Sequence, residues 1–432
     1  MPAYSVRVTP GAREGFPVTT RAIASQSDED AAALAAYGAP VAVWARGEDR
    51  LVGYGVAARL DFSGEDRLTS AAAGWRALAA AARTDDGVRV PGSGLLAFGA
   101  FAFADDSASV SALTVPRRVV GRRNGRPFVT EIDLLEEDPA APAVPSSPGT
   151  RFPPEAYASA VTAAVRRIRS GELDKVVLAR DLALDIPAGF DLVAALRMLR
   201  ARYRDAWTFA VDGFFGASPE TLVTVRGGLV TARVLAGTAA RGRDAAADAA
   251  ARAALLDSAK NRFEHALAVD SLLLTLGERV EDLQIGRPFA LGLPNVWHLA
   301  TDAEAGLRSG TSALDLVAAL HPTAAVAGSP RDAALGLIGE LEPFDRGRYA
   351  GPVGWIGGSG EGEWAIGLRA AQVETPDRIR AFAGAGIVAG SEAQNELAET
   401  GWKFAPVLEA LGRDPFSAAT APRPGSDPVP VS

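Results

Sequence analysis

The sequence predicts an α+β fold, with large, mostly antiparallel sheets flanked by helices. Two patterns predict it. Short apolar runs of alternating polarity recur along the 432 residues and outnumber the helical crossovers that parallel strands require. Between them stand Ala/Leu-rich stretches of helical character, such as Asp244 to Leu276. A hydrophobic content of 48% with 22% charged residues supplies a sizeable core and excludes a largely disordered chain.

Residues 1–137 mix strand-like runs (Val41 to Trp44, Leu51 to Tyr54, Leu95 to Phe103) with helices at Asp28 to Tyr37 and Ser70 to Arg83. They hold no ionisable cluster with chemical spacing, so their expected role is to complete the sheets. Residues 138–154, rich in Pro, Ser and Ala, read as an exposed linker. Residues 155–412 are the candidate catalytic part, and 413–432, with five prolines, are expected to be a disordered tail. Pro154 to Ser170 predicts an amphipathic helix, with Tyr157, Val161, Val165 and Ile168 on one face and Gly171 ending it. Leu173 to Ile186 reads as a strand with Lys175, Val177, Ala179 and Asp181 on one side. Gly351 to Val373 reads as a hairpin turning at Gly-Gly-Ser-Gly-Glu-Gly, and Ile379 to Ile387 as a strand. Ser391 begins the last long helix, which ends near Gly412.

Composition removes several function classes. A formal net charge of −8 offers no basic face for phosphate neutralisation, so no nucleic-acid partner is expected. The absence of cysteine excludes disulfides, thiolate metal sites and cysteine nucleophiles. The opening residues lack the apolar core of a signal peptide, and no apolar run is long enough to span a membrane. A cytoplasmic protein is expected.

Basic residues are written almost wholly as arginine; of 44 Lys and Arg, only Lys175, Lys260 and Lys403 are lysine. Arginine stays protonated, whereas a buried ammonium can lose its proton. Lys175 lies in an otherwise apolar strand, so it either reaches out from an edge or is a partly desolvated amine able to accept a proton. Glu220, before the strand-like Thr-Leu-Val-Thr-Val, is a solvated carboxylate or, if its pKa is raised, the matching acid.

In the last helix Ser391 and Gln394 make a capping-box pattern, and Glu392, Glu396, Glu399 and Lys403 recur at spacings of four, three and four on one face. The glycines of Ala383 to Val388 let backbone N–H groups approach an anion. Asp257, Lys260, Asn261, Glu264 and His265 form a second polar group on the middle helix. Oxygen donors without cysteine or paired histidines suit Mg²⁺ rather than zinc. Arg369, placed within a strand, reads as a structural ion pair or a bidentate clamp on a carboxylate. Tyr349 is a core ring or a hydroxyl donor, and His298 a core histidine or a pocket residue.

From Phe152 onward the sequence resembles the chorismate-utilising enzymes. The matching stretches, in family order, are Gly-Glu-Leu-Asp-Lys-Val-Val-Leu-Ala-Arg (171–180), Ser-Pro-Glu-Thr-Leu-Val (218–223) and Leu-Ala-Gly-Thr-Ala-Ala-Arg-Gly (235–242). They continue through Ser-Ala-Lys-Asn-Arg-Phe-Glu-His (258–265), Val-Trp-His-Leu (296–299), residues 321–330, 345–355 and 383–391, and the Glu-x-x-Glu-x-x-x-Lys helix. The resemblance implies that family's fold, a single large domain whose antiparallel sheets pack as a sandwich. Lysine at 175 resembles the water-using members, and Ala236 stands where the aminodeoxychorismate synthases carry lysine. The activity implied is that of the isochorismate synthases, the alternatives being salicylate synthesis through the same intermediate or a non-catalytic anion-binding homologue. The N-terminal pattern looks like the menaquinone branch rather than the siderophore one.

The roles implied follow residue by residue. Lys175 activates water, and Glu220 protonates the departing hydroxyl of chorismate. Mg²⁺ is held by Glu264, Glu396 and Glu399. Tyr349, Arg369, the backbone of Gly384, Ala385 and Gly386, and Lys403 fix the pyruvyl side, while Thr221, Gly237, Thr238 and His298 line the pocket. Asn261 departs from the acidic residue common there. The family implies a monomer.

Overall fold

A computed structural model describes residues 4–7, 15–23, 39–134, 152–186, 190–292 and 296–414, apart from the side chains at 4–7, 238, 240, 260, 264, 267, 271, 274 and 296. The predicted helix 28–37, nearly all of the linker and residues 415–432 of the tail lie outside the described residues.

Among the described residues, 21 strands join in one hydrogen-bonded network. The pairings are antiparallel, except that Phe16–Ala22 runs parallel to Ala82–Asp86. The N-terminal strands do enter the sheets of the rest of the chain: Ala42–Arg46 pairs with Trp207–Val211, and Leu96–Ala100 with Pro352–Gly357. One core is built almost wholly from strand residues, including Trp44, Phe98, Phe128, Phe209, Val353 and Trp355. A larger one packs the sheet under helices such as Arg67–Ala80, Pro154–Arg169 and Ala313–Leu320. In Pro154–Arg169 the buried residues include Tyr157, Val161, Val165 and Ile168, the predicted stripe. No described helix is long and apolar enough to cross a membrane.

Several predicted elements are corrected. The middle helix is two, Ala245–Asp257 and Ala259–Leu276, because Ser258 leaves the helical region (ψ 111°) and its hydroxyl accepts the Asn261 N–H. The last helix is also two, Ala393–Lys403 and Ala405–Ala410, with Pro406 in the first turn of the second. Ser391 is not a helix cap; Glu392 holds that position without a side-chain bond, and the Ser391 hydroxyl accepts the Val388 N–H at 3.2 Å. The hairpin is Pro352–Gly357 with Gly362–Ile366, and its second strand stops before Arg369. A longer hairpin went unpredicted: Ser111–Arg123 and Arg126–Ile132 meet at Asn124–Gly125, where φ is 51° and 75°. Asn-Gly is the strongest short signal for such a turn.

A buried carboxylate ties the two halves together. Glu363, 0% exposed, accepts bonds from Trp44 Nε1 (2.8 Å), Trp355 Nε1 (3.0 Å), Arg123 Nη2 (2.9 Å) and Arg226 Nε (2.8 Å). Burial alone would push its pKa up, but Arg123 and Arg226 outweigh that and hold it at about 2. A depressed value means stability present at neutral pH and lost as pH falls below the ordinary 4.5 toward about 2. Glu363→Ala leaves Arg123 buried without this partner, so a loss of about 3–5 kcal/mol is expected in urea unfolding. A change below about 1 kcal/mol contradicts the keystone role.

Candidate active site

Two neighbouring strands form the floor of the site. Lys175 opens the strand Lys175–Asp185, which pairs with Arg378–Ile387 so that Val177 faces Gly386 and Ala179 faces Gly384. Paired residues share a face and alternate along a strand, so Lys175 projects on the side of these two glycines. A Cβ on Gly386 would lie 3.1 Å from Lys175 Cε and 3.7 Å from its Nζ. The lysine therefore lies across bare backbone. A Cβ on Gly384 would stand 3.2 Å from the Tyr349 hydroxyl, and Lys403 Nζ donates to the Gly384 carbonyl at 2.8 Å. Ala385, between them, is buried and faces the other way. Three functional groups thus converge where two side chains are missing.

Glu220 sits between the strands Phe214–Ser218 and Thr221–Arg226. Its backbone is pinned at both ends: its N–H donates to Ser218 Oγ at 3.2 Å, and its carbonyl accepts the Ile366 N–H at 3.1 Å. The side chain keeps a partly exposed edge but is enclosed by protein. Burial raises its pKa to about 7, against the opposing pull of the Lys175 and Lys403 charges. Lys175 and Lys403, distant from Glu220 in sequence, are therefore close enough for their charges to act on it.

Tyr349 borders the floor of the site across Gly384. Tyr349 is buried with its ring stacked on Phe382 at 5.3 Å, and burial pushes its hydroxyl well above the usual range, so it stays a donor. Arg369 lies not within a strand but in the bend before Ala370–Thr375, at φ 51°. Among the described residues, no side-chain hydrogen bond or ion pair engages its guanidinium. Burial lowers its pKa, partly offset by Tyr349, Tyr203 and Glu399. His298 is brought to about 4 by burial, with the Lys403 and Arg369 charges adding, so it is neutral at pH 7. Thr221 Oγ1 accepts the Trp207 Nε1–H at 2.8 Å. Gly237, at φ +85°, fills the register break between Leu235 and Thr238, where a Cβ would lie 3.1 Å from Asn261 Cβ. Thr238 pairs with His298 through its backbone; its side chain lies outside the described residues.

On Ala393–Lys403, Glu396 and Glu399 are one turn apart, and Glu399 Oε1 is 2.6 Å from Lys403 Nζ. Glu392, as the cap, precedes the helical face. Glu264 lies on Ala259–Leu276 with its side chain outside the described residues, and no group of three metal-ligating side chains is gathered among the described ones. Carboxylates one helical turn apart, in a chain without cysteine, suit a hard divalent cation such as Mg²⁺. Sequence reasoning missed one group that touches this floor, Glu342 and Arg346, whose four-residue spacing across a helix end was its only signal.

A family model described as chorismate binding enzyme matches residues 129–412. The chain belongs to the chorismate-binding enzyme family. Within this family it matches the salicylate biosynthesis isochorismate synthase of Pseudomonas aeruginosa at 36% identity over 405 residues, 86% of this chain and 85% of that one. The isochorismate synthase DhbC of Bacillus subtilis is 39% identical over 274 residues, 60% and 69% of the two chains. Among solved structures, MenF, the menaquinone-specific isochorismate synthase from Escherichia coli, superposes at a TM-score of 0.74 with 27% identity, covering 93% of this chain and 95% of that one. The chorismate-binding family match begins inside the strand Arg126–Ile132, ahead of the expected catalytic boundary at 155.

Proposed function

We propose that this enzyme is an isochorismate synthase in which Lys175 and Glu220 act as base and acid on opposite faces of chorismate. The observation that carries it is the Glu220 carboxyl, raised to about 7 while two lysine charges bear on it. A carboxyl near neutrality can hand over a proton at physiological pH. Lys175, once its ammonium proton has passed to solvent, takes a proton from water as its oxygen bonds to C2 of the ring. The two ring double bonds each shift by one position, the C4–O bond breaks, and Glu220 protonates the departing hydroxyl, which leaves as water. One water enters and one leaves; the lysine ends protonated and the glutamate ionised, and their charges then attract.

Chorismate is a dianion entering an acidic protein. Arg369, partly exposed and without a carboxylate partner among the described residues, supplies a planar fork for one carboxylate. The Tyr349 hydroxyl, Lys403 and the Gly384–Gly386 backbone line the same side, and neutral His298 adds no competing proton source. Glu396 and Glu399, with Glu264, would hold Mg²⁺, which when bound neutralises the ring carboxylate. Lys403 Nζ, 2.6 Å from Glu399 Oε1, holds the Glu399 side chain along its helix.

Incubating the purified protein with chorismate and Mg²⁺ and separating the products tests this reading. Isochorismate without pyruvate is expected. Salicylate with an equal amount of pyruvate establishes the eliminating alternative, and binding without turnover a non-catalytic homologue.

A further inference from the structure

The strand that presents Lys175 has an incomplete edge. On the side away from Gly384 and Gly386, among the described residues only Gly328–Ser329 pairs with it, at Val176 and Lys175, followed by one bond from the Val177 N–H to the Ala327 carbonyl at 2.8 Å. Beyond that point a side-chain pair takes the place of a strand. Glu342 Oε1 accepts the Ala179 N–H at 2.7 Å. Arg346 donates to the Val177 carbonyl at 2.6 Å and to the Val326 carbonyl at 2.9 Å. The two close on each other through Arg346 Nε to Glu342 Oε2 at 2.8 Å and Nη2 to Oε1 at 2.6 Å. Donor and acceptor are thus supplied where a neighbouring backbone would supply them.

This pair is costly where it stands. Both side chains are 2% exposed, and desolvating two charges offsets much of their mutual attraction. Glu342 follows directly on the helix Arg331–Leu341, at the end where the helix dipole disfavours an anion. Its geometry joins the pieces that meet at the reaction centre. Arg346 begins the turn that carries Tyr349, whose N–H donates to the Arg346 carbonyl at 3.0 Å, and Tyr349 in turn stands over Gly384.

We propose that Glu342 and Arg346 are a positioning pair for the reaction, fixing the Lys175 strand and the Tyr349 turn relative to each other. The proposal rests on the roles assigned to Lys175 and Tyr349 above. A displacement of about 1 Å at a reacting group costs roughly 100-fold in rate, whereas substrate binding by other residues persists.

The test is the double variant Glu342→Gln/Arg346→Gln, which keeps an acceptor and a donor but leaves no unpaired buried charge. Isochorismate formation per folded molecule is compared with wild type and Lys175→Gln. A fall in kcat of about 10- to 100-fold with KM within about threefold, and faster hydrogen exchange at the Ala179 amide, is expected. Arg346→Lys, which keeps the charge but cannot hold both carbonyls at once, should restore part of the rate. A lower thermal midpoint with kcat per folded molecule unchanged makes the pair merely structural and overturns the proposal. If the double variant does not fold, Arg346→Lys alone decides: kcat reduced at constant KM supports positioning, and unchanged kcat refutes it. An active Lys175→Gln overturns the underlying assignment and the proposal with it, a result distinguishable because it does not involve the pair.

Discussion

Glu220→Gln is expected to cut isochorismate formation by about 10²- to 10⁴-fold and, at the same time, to make the protein harder to unfold above pH 7. Both effects come from one cause. Enclosure raises the carboxyl from its ordinary 4.5 to about 7. The folded state therefore holds this proton more tightly than the unfolded chain, so stability falls as pH rises from about 4.5 through 7. Glutamine has no proton to lose and escapes that penalty. Thermal midpoints at pH 5 and pH 8.5 should show the variant gaining on wild type only at the higher value. The same group sets the pH profile. As the acid it must be protonated, so kcat/KM of the free enzyme should decline on the alkaline side near pH 7, and kcat at higher pH because bound dianionic substrate favours the protonated form. A variant with undiminished turnover, or with no pH-dependent gain in stability, contradicts the assignment.

The candidate site was suggested by residue types that stand out. A lysine among arginines, glycines spaced by two, and glutamates at three and four mark Lys175, Gly384, Gly386, Glu396 and Glu399 without reference to a fold. The fold class was legible for a similar reason, since the apolar strand-like run Lys175–Asp185 and the stripe on Pro154–Arg169 are local signals. Breaks within elements were not. Ser258 and Phe404 interrupt helices whose composition runs on unchanged, and Arg369 leaves a strand at φ 51° because tertiary pairing of Phe214–Ser218 with Ala370–Thr375 claims the next residues. Long-range partners were illegible too. Nothing near Glu363 announces that Trp44 and Arg123 will close on it, and nothing near Glu342 announces the Ala179 amide. Such contacts depend on elements more than a hundred residues apart meeting at one point.

Lys175→Gln carries the other large effect. Glutamine matches much of the side chain's length over Gly386 but cannot accept a proton, so turnover should fall by about 10²- to 10⁴-fold. Chorismate should bind within a few-fold of wild type, because Arg369, Tyr349 and Lys403 are untouched. Loss of binding rather than turnover would make Lys175 an anchor for the substrate instead of its base.

The oxygen itself gives the most direct answer. Wild type and Lys175→Gln are each given unlabelled chorismate and Mg²⁺ in 18O-labelled water, and the earliest isochorismate is weighed by mass spectrometry. One labelled oxygen at C2 from wild type, with no product above background from the variant, is the expected result. Unlabelled isochorismate, or labelled product formed by the variant at the wild-type rate, would contradict it.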